Sequence, residues 1–237
     1  MQGRIIKTYF ASKVGIDPKN IINVAVAPCT SKKYEIKRKQ LKKDDMYDTD
    51  FVITTRELAL LLKEEKIDLC KLKEENFDFP LGSGSGAGVI FGNTGGVMEA
   101  ALRTAYYFIT GKDLENDKIT FENARGMAGI KQLSIQINDV SIKVAIANGM
   151  KNAKKLIDKL LNKEVYYDFI EVMNCNGGCI SGGGQPKITL LNINSTRKNR
   201  IDGLYSEDEK SIKRVSYKNP DIITIYNEFL EKPLSNI

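Results

Sequence analysis

Cys175 and Cys179 carry the strongest chemical signal in this 237-residue sequence. Two thiols four positions apart can serve one metal centre when the turn between them is tight. Gly177 and Gly178 fill that turn, and glycine adopts positive φ angles freely. The glycines at 182–184 add backbone N–H groups that can donate hydrogen bonds to the sulfides of an iron–sulfur cluster. A glycine-rich loop with two incidental buried thiols is the alternative interpretation.

Cys29 is the third candidate ligand. It follows an apolar run that ends at Pro28, so its thiol is expected to project from the edge of a sheet. Thiolates favour iron–sulfur clusters or zinc, and zinc held by three thiolates without histidine is the less usual choice. Lys32 lies three residues further on, where it can place a positive charge near whatever Cys29 binds. A solvated surface pair, Lys32 with Lys33, is the plainer interpretation.

Composition and charge narrow the possible classes of protein. The sequence has no histidine, which removes the commonest general base and the commonest zinc ligand. Its net charge of +6 suits an acidic protein partner. Because no basic motif is interleaved with aromatic residues and no apolar run has the length of a membrane span, neither nucleic acid nor a membrane is expected as a partner. With no secretory segment after Met1, the predicted compartment is the cytoplasm.

Hydrophobic periodicity predicts strands and helices that alternate along the chain. The predicted strands are 20–28, 50–54, 130–137, 140–147 and 169–173, and the predicted helices are 3–14, 56–66, 97–110, 151–163, 208–217 and 220–230. The first strand is expected to be buried, Asn138-Asp139 is expected to turn a hairpin, and Gly111 is expected to end the helix 97–110. This order predicts an α/β fold with largely parallel sheets flanked by helices and with added hairpins. Cys29 and Cys175 then fall at the carboxyl ends of strands, where α/β folds place their sites.

Three stretches of the sequence together resemble the catalytic domain of the iron-only (FeFe) hydrogenases. The sequence Pro-Cys-Thr-Ser-Lys-Lys-Tyr-Glu at 28–35 resembles the second cluster motif of that family, and the stretch from Glu171 to Pro186 resembles the third. The segment from Phe91 to Arg103 is similar to the long stretch between them. Since the similarity extends along the whole chain, residues 1–237 are expected to form one domain, the C-terminal portion of such a catalytic domain.

The resemblance implies a 4Fe–4S cluster with Cys29, Cys175 and Cys179 as ligands, where Cys179 also bridges to a two-iron subsite that carries CO, CN and a dithiolate. The implied reaction is the reversible reduction of protons to H2. Lys32 would donate a hydrogen bond to a cyanide, and Glu35 could take part in a proton path. The implied cofactor environment includes Phe91, Met173, Gly182, Gly183, Gln185 and Pro186.

The sequence also departs from the family pattern. The first family motif, Thr-Ser-Cys-Cys-Pro, is absent from these 237 residues, and with it the fourth cluster ligand and a proton-relay thiol. Ala27 stands where many members have methionine, and Asn174 replaces a usual alanine. Cys70 could substitute for the missing ligand, although a buried structural thiol is the commoner role for a lone cysteine. We therefore expect a C-terminal piece or half of a split enzyme, which evolves H2 poorly on its own.

The resemblance extends to partners and to one alternative function. Because ferredoxins are acidic and the chain is basic, an acidic ferredoxin is the expected electron carrier. An upstream chain with the missing motif is the second expected partner. The alternative is a non-catalytic iron–sulfur protein of the same superfamily, which acts in cluster assembly or in redox or H2 sensing. Lys32 and the complete Gly182–Pro186 loop favour the hydrogenase, whereas Ala27 and the missing motif favour the alternative.

Overall fold

A computed structural model describes residues 1–78, 81–114 and 129–232 of the chain. The chain divides into two compact units. The first comprises Met1–Ser83, Gly182–Lys187 and Pro220–Ile237, and the second comprises Gly84–Ser181 and Ile188–Asn219. Cys29 thus belongs to the first unit, and Cys175 and Cys179 belong to the second.

Strands and helices are interspersed along the described chain, and this confirms the predicted α/β class. The strands are β1 (Val24–Ala27), β2 (Lys42–Lys43), β3 (Met46–Tyr47), β4 (Phe51–Thr54), β5 (Ile130–Ile137), β6 (Val140–Asn148) and β7 (Phe169–Met173). The α-helices are α1 (Gln2–Ile5), α2 (Ala11–Val14), α3 (Lys32–Glu35), α4 (Thr55–Glu64), α5 (Gly86–Val89), α6 (Gly96–Thr110), α7 (Met150–Leu161), α8 (Ile193–Lys210) and α9 (Pro220–Ile225). Among the described residues, no helix has both the length and the apolar character needed to cross a membrane.

In the first unit, the parallel pair β1 and β4 leads directly into a capped helix. Thr54 is the N-cap of α4, which begins at Thr55, one residue before the start of the predicted helix 56–66. Its hydroxyl accepts a hydrogen bond from the Glu57 amide, and the Glu57 carboxylate accepts one from the Thr54 amide, so each residue satisfies an orphan N–H group of the other. The Lys33 ammonium, together with the Thr54 amide and the Thr54 hydroxyl, which both donate to the Glu57 carboxylate, lowers the pKa of Glu57 to about 2.

The predicted buried strand at 20–28 is shorter and more open in the structure. Only Val24–Ala27 pairs as β1, and Pro18–Asn20 forms a 3₁₀ turn instead. The side chains of Val24, Val26 and Phe51 share one face of the pair and are 54%, 52% and 57% exposed. The apolar run therefore predicted a strand correctly but overestimated its burial, because one face of this two-stranded sheet is open to solvent within the described first unit.

The second unit is built on the three-stranded sheet β5-β6-β7. The predicted hairpin of β5 and β6 is confirmed, and Asn138 turns the corner with a φ of 52°. Alternate residues of β6 face opposite layers: Val144 and Ile146 pack with Met98 of α6, whereas Ala145 and Ala147 pack with α7. Because β7 lies parallel to β6, Asn148 is the register partner of Met173.

The long helix α8 was not predicted, and the helix predicted at 208–217 is wrong, because α8 ends at Lys210. Most residues of α8 are polar, so the sequence has no apolar stripe of helical period there. Its buried residues are Ile201, Tyr205 and Asp208, and Asp208 binds Arg103 of α6 through two hydrogen bonds of 2.8 and 2.7 Å. The helix is therefore held by tertiary contacts, including a buried ion pair, and not by a wide hydrophobic face.

Candidate metal centre

The segment after β7 forms the tight turn that the two glycines predicted. The Gly178 amide donates to the Cys175 carbonyl at 2.9 Å, and the Ser181 amide donates to the Gly178 carbonyl at 3.1 Å. Gly177 and Gly178 have φ angles of 85° and 100°, in the region that favours glycine. Cys175 is half-buried and Cys179 is exposed at the start of the 3₁₀ turn Cys179–Ser181. The thiol-bearing turn is thus prebuilt in the protein backbone.

The turn rests against the backbone that precedes α6. The Thr94 amide donates to the Gly177 carbonyl at 3.1 Å. A Cβ at position 178 would lie 2.6 Å from the Thr94 nitrogen, a separation that side chains do not tolerate. Gly178 is therefore required both for its φ and for this close approach.

Asn148, which the sequence did not single out, clamps the same turn from the end of β6. Its side-chain amide donates to the Cys175 carbonyl at 2.6 Å and to the Thr94 hydroxyl at 3.0 Å. The residue is only 5% exposed. The parallel register of β6 and β7 brings Asn148 to the turn. Its role could therefore be predicted from the sequence only if that strand pairing were already known.

Glu171 on β7 supplies the cap that α6 lacks. The residue before α6 is Gly95, which has no side chain, and the Glu171 carboxylate accepts hydrogen bonds from the Gly95 and Met98 amides at 2.6 and 2.8 Å. Burial raises the pKa of Glu171 above its ordinary value, against the opposing effect of these backbone donors. Glu171 thereby ties β7, which leads into the cysteine turn, to the start of α6.

In the first unit, the Gly182–Lys187 segment lies beside the backbone that leads into Cys29. The Gly184 amide donates to the Pro28 carbonyl at 2.9 Å, and Arg56 donates to the Gly183 carbonyl at 2.8 Å. A Cβ at position 184 would lie 2.8 Å from the Thr54 side chain. Of the predicted cofactor-environment residues here, Gly182 is buried, Gln185 is half-buried, and Gly183 and Pro186 are exposed. Cys29 itself is half-buried, two residues after β1.

Lys32 and Glu35 form an ion pair with each other. The Lys32 ammonium lies 2.6 Å from the Glu35 carboxylate across one turn of α3, and the two side chains are 50% and 42% exposed. Lys32 is thus half exposed, with the Glu35 carboxylate as its partner. Its assignment as a cyanide donor, and that of Glu35 to a proton path, remain predictions.

The remaining predicted residues differ in exposure. Met173 is half-buried at the end of β7, with its sulfur 4.0 Å from the Thr94 hydroxyl. Phe91 is 46% exposed. Cys70 is exposed in the first unit, so it is not the buried structural thiol that a lone cysteine suggests. No group of three or more Cys, His, Asp or Glu side chains within the described residues is arranged to hold a metal ion, and the three-cysteine site remains a prediction.

Family models match most of the chain. One described as "Iron only hydrogenase large subunit, C-terminal domain" matches residues 1–183, and one described as "Iron hydrogenase small subunit" matches residues 194–237.

Known proteins of two kinds are similar to the chain. Iron hydrogenase 1 of Clostridium pasteurianum is 45% identical over 98% of this chain and 40% of its own length. The periplasmic hydrogenase large subunit of Nitratidesulfovibrio vulgaris is 44% identical over 78% of this chain and 44% of its own length. A cytosolic Fe–S cluster assembly factor of Danio rerio is 28% identical over 98% of this chain and 56% of its own length. The chain thus spans about two fifths of the length of the hydrogenases it matches.

Solved structures agree with this relationship. An FeFe-hydrogenase solved to show stepwise assembly of the H-cluster superposes with a TM-score of 0.78 at 40% identity, over 99% of this chain and 65% of that one. The apo FeFe-hydrogenase of Chlamydomonas reinhardtii gives a TM-score of 0.77 at 40% identity, over 98% of this chain and 64% of that one. Both superpositions extend over nearly the whole chain, including Cys29, Cys175 and Cys179. The chain therefore belongs to the iron-only hydrogenase large-subunit family.

Proposed function

We propose that the chain binds a 4Fe–4S cluster through Cys29, Cys175 and Cys179 and serves the reversible reduction of protons to H2. The observation that carries this proposal is the 45% identity to an iron hydrogenase over nearly the whole chain, together with the prebuilt cysteine turn. Since the chain spans only part of its relatives' length, the proposal extends to a unit in which other residues supply the remaining ligand.

The donor set suits an iron–sulfur cluster. Its three thiols are the ligand type that such clusters prefer, and no histidine competes with them. When bound, the cluster and its two-iron subsite would supply the redox equivalents and the site at which protons and H2 interconvert.

The chain's own residues would hold and shape this site. Cys179 would bridge the cluster and the subsite. Lys32 would donate a hydrogen bond to an anionic cyanide. For this, the Lys32 ammonium must either share its hydrogen bonds with the Glu35 carboxylate or leave that carboxylate. An exposed ion pair is weak, about 0–1 kcal/mol, so exchanging this partner costs little. Phe91 and Met173 would pack against the subsite, and Gly182, Gly183, Gln185 and Pro186 would line the cofactor environment.

We also propose that electrons arrive from an acidic ferredoxin in the cytoplasm, and not directly from a nicotinamide. The net charge of +6 favours an acidic carrier, and the sequence has no Gly-x-Gly-x-x-Gly fingerprint that opens a helix after a strand. Screening should then weaken the coupling as salt rises. Electron-transfer rates that stay constant between about 0.01 and 0.5 M salt would contradict an electrostatic encounter.

The second candidate function is that of a non-catalytic iron–sulfur protein. It is favoured by the similarity, at 28–29% identity, to known and probable cytosolic Fe–S cluster assembly factors. Both functions predict a cluster, but only the hydrogenase predicts a two-iron subsite with CO and CN ligands. Infrared bands of these ligands after maturation with the subsite would therefore separate the two, and their absence from a matured, cluster-loaded chain would favour the alternative.

Anaerobic reconstitution tests the cluster itself. The wild-type chain should bind about four iron and four sulfide, because this is the composition of one cubane. Changing Cys29, Cys175 and Cys179 together to serine should abolish binding. Cys70→Ser is the matched control, since Cys70 is exposed and lies outside the proposed ligand set, and it should leave the iron content unchanged. Equal iron content in the triple variant and the wild type would overturn the proposal.

A further inference from the structure

Two arginines on one face of α8 reach the turn that begins at Cys179. The Arg197 Nε donates to the Ser181 hydroxyl at 3.0 Å, and the Arg200 Nη1 donates to the Ile180 carbonyl at 2.7 Å. Both contacted residues belong to the 3₁₀ turn Cys179–Ser181. The backbone after the exposed cysteine is therefore held from two points by guanidinium groups three residues apart on a single helix.

The basic run of α8 thus has two separate roles. Arg197 and Arg200 are half-buried against the turn, whereas Lys198 between them is exposed and pairs with Asp202 at 2.7 Å. From the sequence alone, Arg197, Lys198 and Arg200 would be predicted to form one solvated basic patch. The structure instead turns two of its three charges inward, where screening by water and salt is weaker.

The two arginines and the cysteine turn also fall in different family segments. Arg197 and Arg200 lie within residues 194–237, which match the iron hydrogenase small subunit, whereas Cys179 lies within residues 1–183, which match the large subunit. The small-subunit-like segment therefore reaches the peptide that carries a proposed cluster ligand.

We propose that Arg197 and Arg200 are positioning residues by which the small-subunit-like segment fixes the Cys179 turn and sets the electrostatic potential at its cluster. The positioning part stands on the two hydrogen bonds, and the electrostatic part rests on the proposed cluster at Cys179. Positive charge beside the cluster favours the reduced state, because reduction adds a negative charge to it. Losing both guanidiniums should loosen the turn and lower the reduction potential.

Hydrogen exchange in the full, cluster-free chain tests the positioning. In the double variant Arg197→Gln with Arg200→Gln, the Ser181 amide should exchange about tenfold faster than in the wild type. A hydrogen bond from a charged donor stabilises the closed turn enough to change its opening equilibrium by this factor or more. Lys198→Gln removes one positive charge from the same helix without touching the turn and should leave that rate unchanged. The buried amides of β6 exchange through global unfolding. The Ser181 rates of two variants are therefore compared under conditions in which their β6 amides are equally protected. Equal Ser181 exchange in the double variant and the wild type would overturn the proposal.

The midpoint potential of the reconstituted cluster tests the electrostatic part. It should fall in the double glutamine variant, recover in Arg197→Lys with Arg200→Lys, and stay constant in Lys198→Gln. Recovery of the midpoint potential by lysine at positions 197 and 200 would show that positive charge at these positions, and not a general loss of fold, sets the potential. An unchanged potential in the glutamine variant overturns the electrostatic part. If the wild-type chain takes up no cluster, the proposed function fails and the electrostatic part with it, while the exchange measurement still decides the positioning.

Discussion

Asn148 is the residue on which the geometry of the cysteine turn depends most directly. Its buried amide donates to the Cys175 carbonyl and to the Thr94 hydroxyl, two groups that the sequence separates by 81 positions (175 less 94). A short polar side chain at the end of a central strand is costly to bury unless it is bonded. Asn148 therefore joins the two backbone segments that must stay in register if the thiols are to keep their positions.

Asn148→Ala should destabilise the chain by about 1–3 kcal/mol, because it removes the donor of the Thr94 hydroxyl and one of the two donors of the Cys175 carbonyl, which keeps only the Gly178 amide. Chemical denaturation at pH 7 measures this change in the free energy of unfolding. Asn152→Ala is the control: it removes a hydrogen bond to the Asn148 backbone carbonyl but none to the turn. If both variants lose the same stability and the same protection at the Gly178 amide, Asn148 has no special relation to the turn.

At the scale of elements, the turn between β7 and the 3₁₀ segment combines two demands on a single glycine. Gly178 needs a positive φ and leaves no room for a Cβ next to Thr94. Gly111, which ends α6, also has a positive φ of 67° but faces open space. Equivalent substitutions at Gly178 and Gly111 therefore separate the cost of backbone strain from the cost of steric contact.

Gly111→Ala should cost about 1–2 kcal/mol, the penalty of the left-handed conformation alone. Gly178→Ala should cost about 2–5 kcal/mol, because overpacking against the Thr94 backbone adds to the same strain. Thermal or urea denaturation of the two variants provides the comparison. Similar losses in both would show that the neighbourhood of Gly178 yields easily and that the turn is not tightly packed.

At the scale of the whole molecule, a buried ion network joins the two family segments inside the second unit. Arg103, from the part that matches the large subunit, binds Glu99 and Asp208, and Asp208 lies in the part that matches the small subunit. Arg214 reaches the same Asp208 carboxylate at 2.8 Å. Burial by itself would raise the pKa of Asp208, but the hydrogen bonds and charges of both arginines outweigh it and lower that pKa.

Asp208→Asn should cost about 3–5 kcal/mol at pH 7, because it leaves buried positive charge uncompensated. Asp202→Asn makes the same chemical change on the same helix at an exposed pair and should cost about 0–1 kcal/mol. Since the folded-state pKa of Asp208 is lowered, its contribution is fully present above the unfolded value of about 3.9 and is lost as pH falls through the folded value. The difference in stability between wild type and Asp208→Asn should therefore shrink only below about pH 4. A difference that stays constant into stronger acid would contradict this origin.

The sequence by itself determined the features that depend on near neighbours. The Asn138–Asp139 hairpin, the end of α6 at Gly111 and the tight turn of Gly177 and Gly178 all follow from the conformations that these residue types adopt, and the structure has each of them. The two cysteine motifs and the stretch from Phe91 to Arg103 carried the resemblance to the iron-only hydrogenases, and the family model that matches residues 1–183 confirms it.

Only the tertiary structure decided what long-range packing controls. Residues far apart in sequence become neighbours through sheet register and helix packing, so the assignment of Asn148 to the cysteine turn and of Glu171 to the start of α6 could not be predicted from local patterns. The polar helix α8 has no periodic apolar stripe, and its stability comes from partners such as Arg103. Burial is likewise a property of what covers a strand, which is why the apolar residues Val24 and Val26 are more than half exposed.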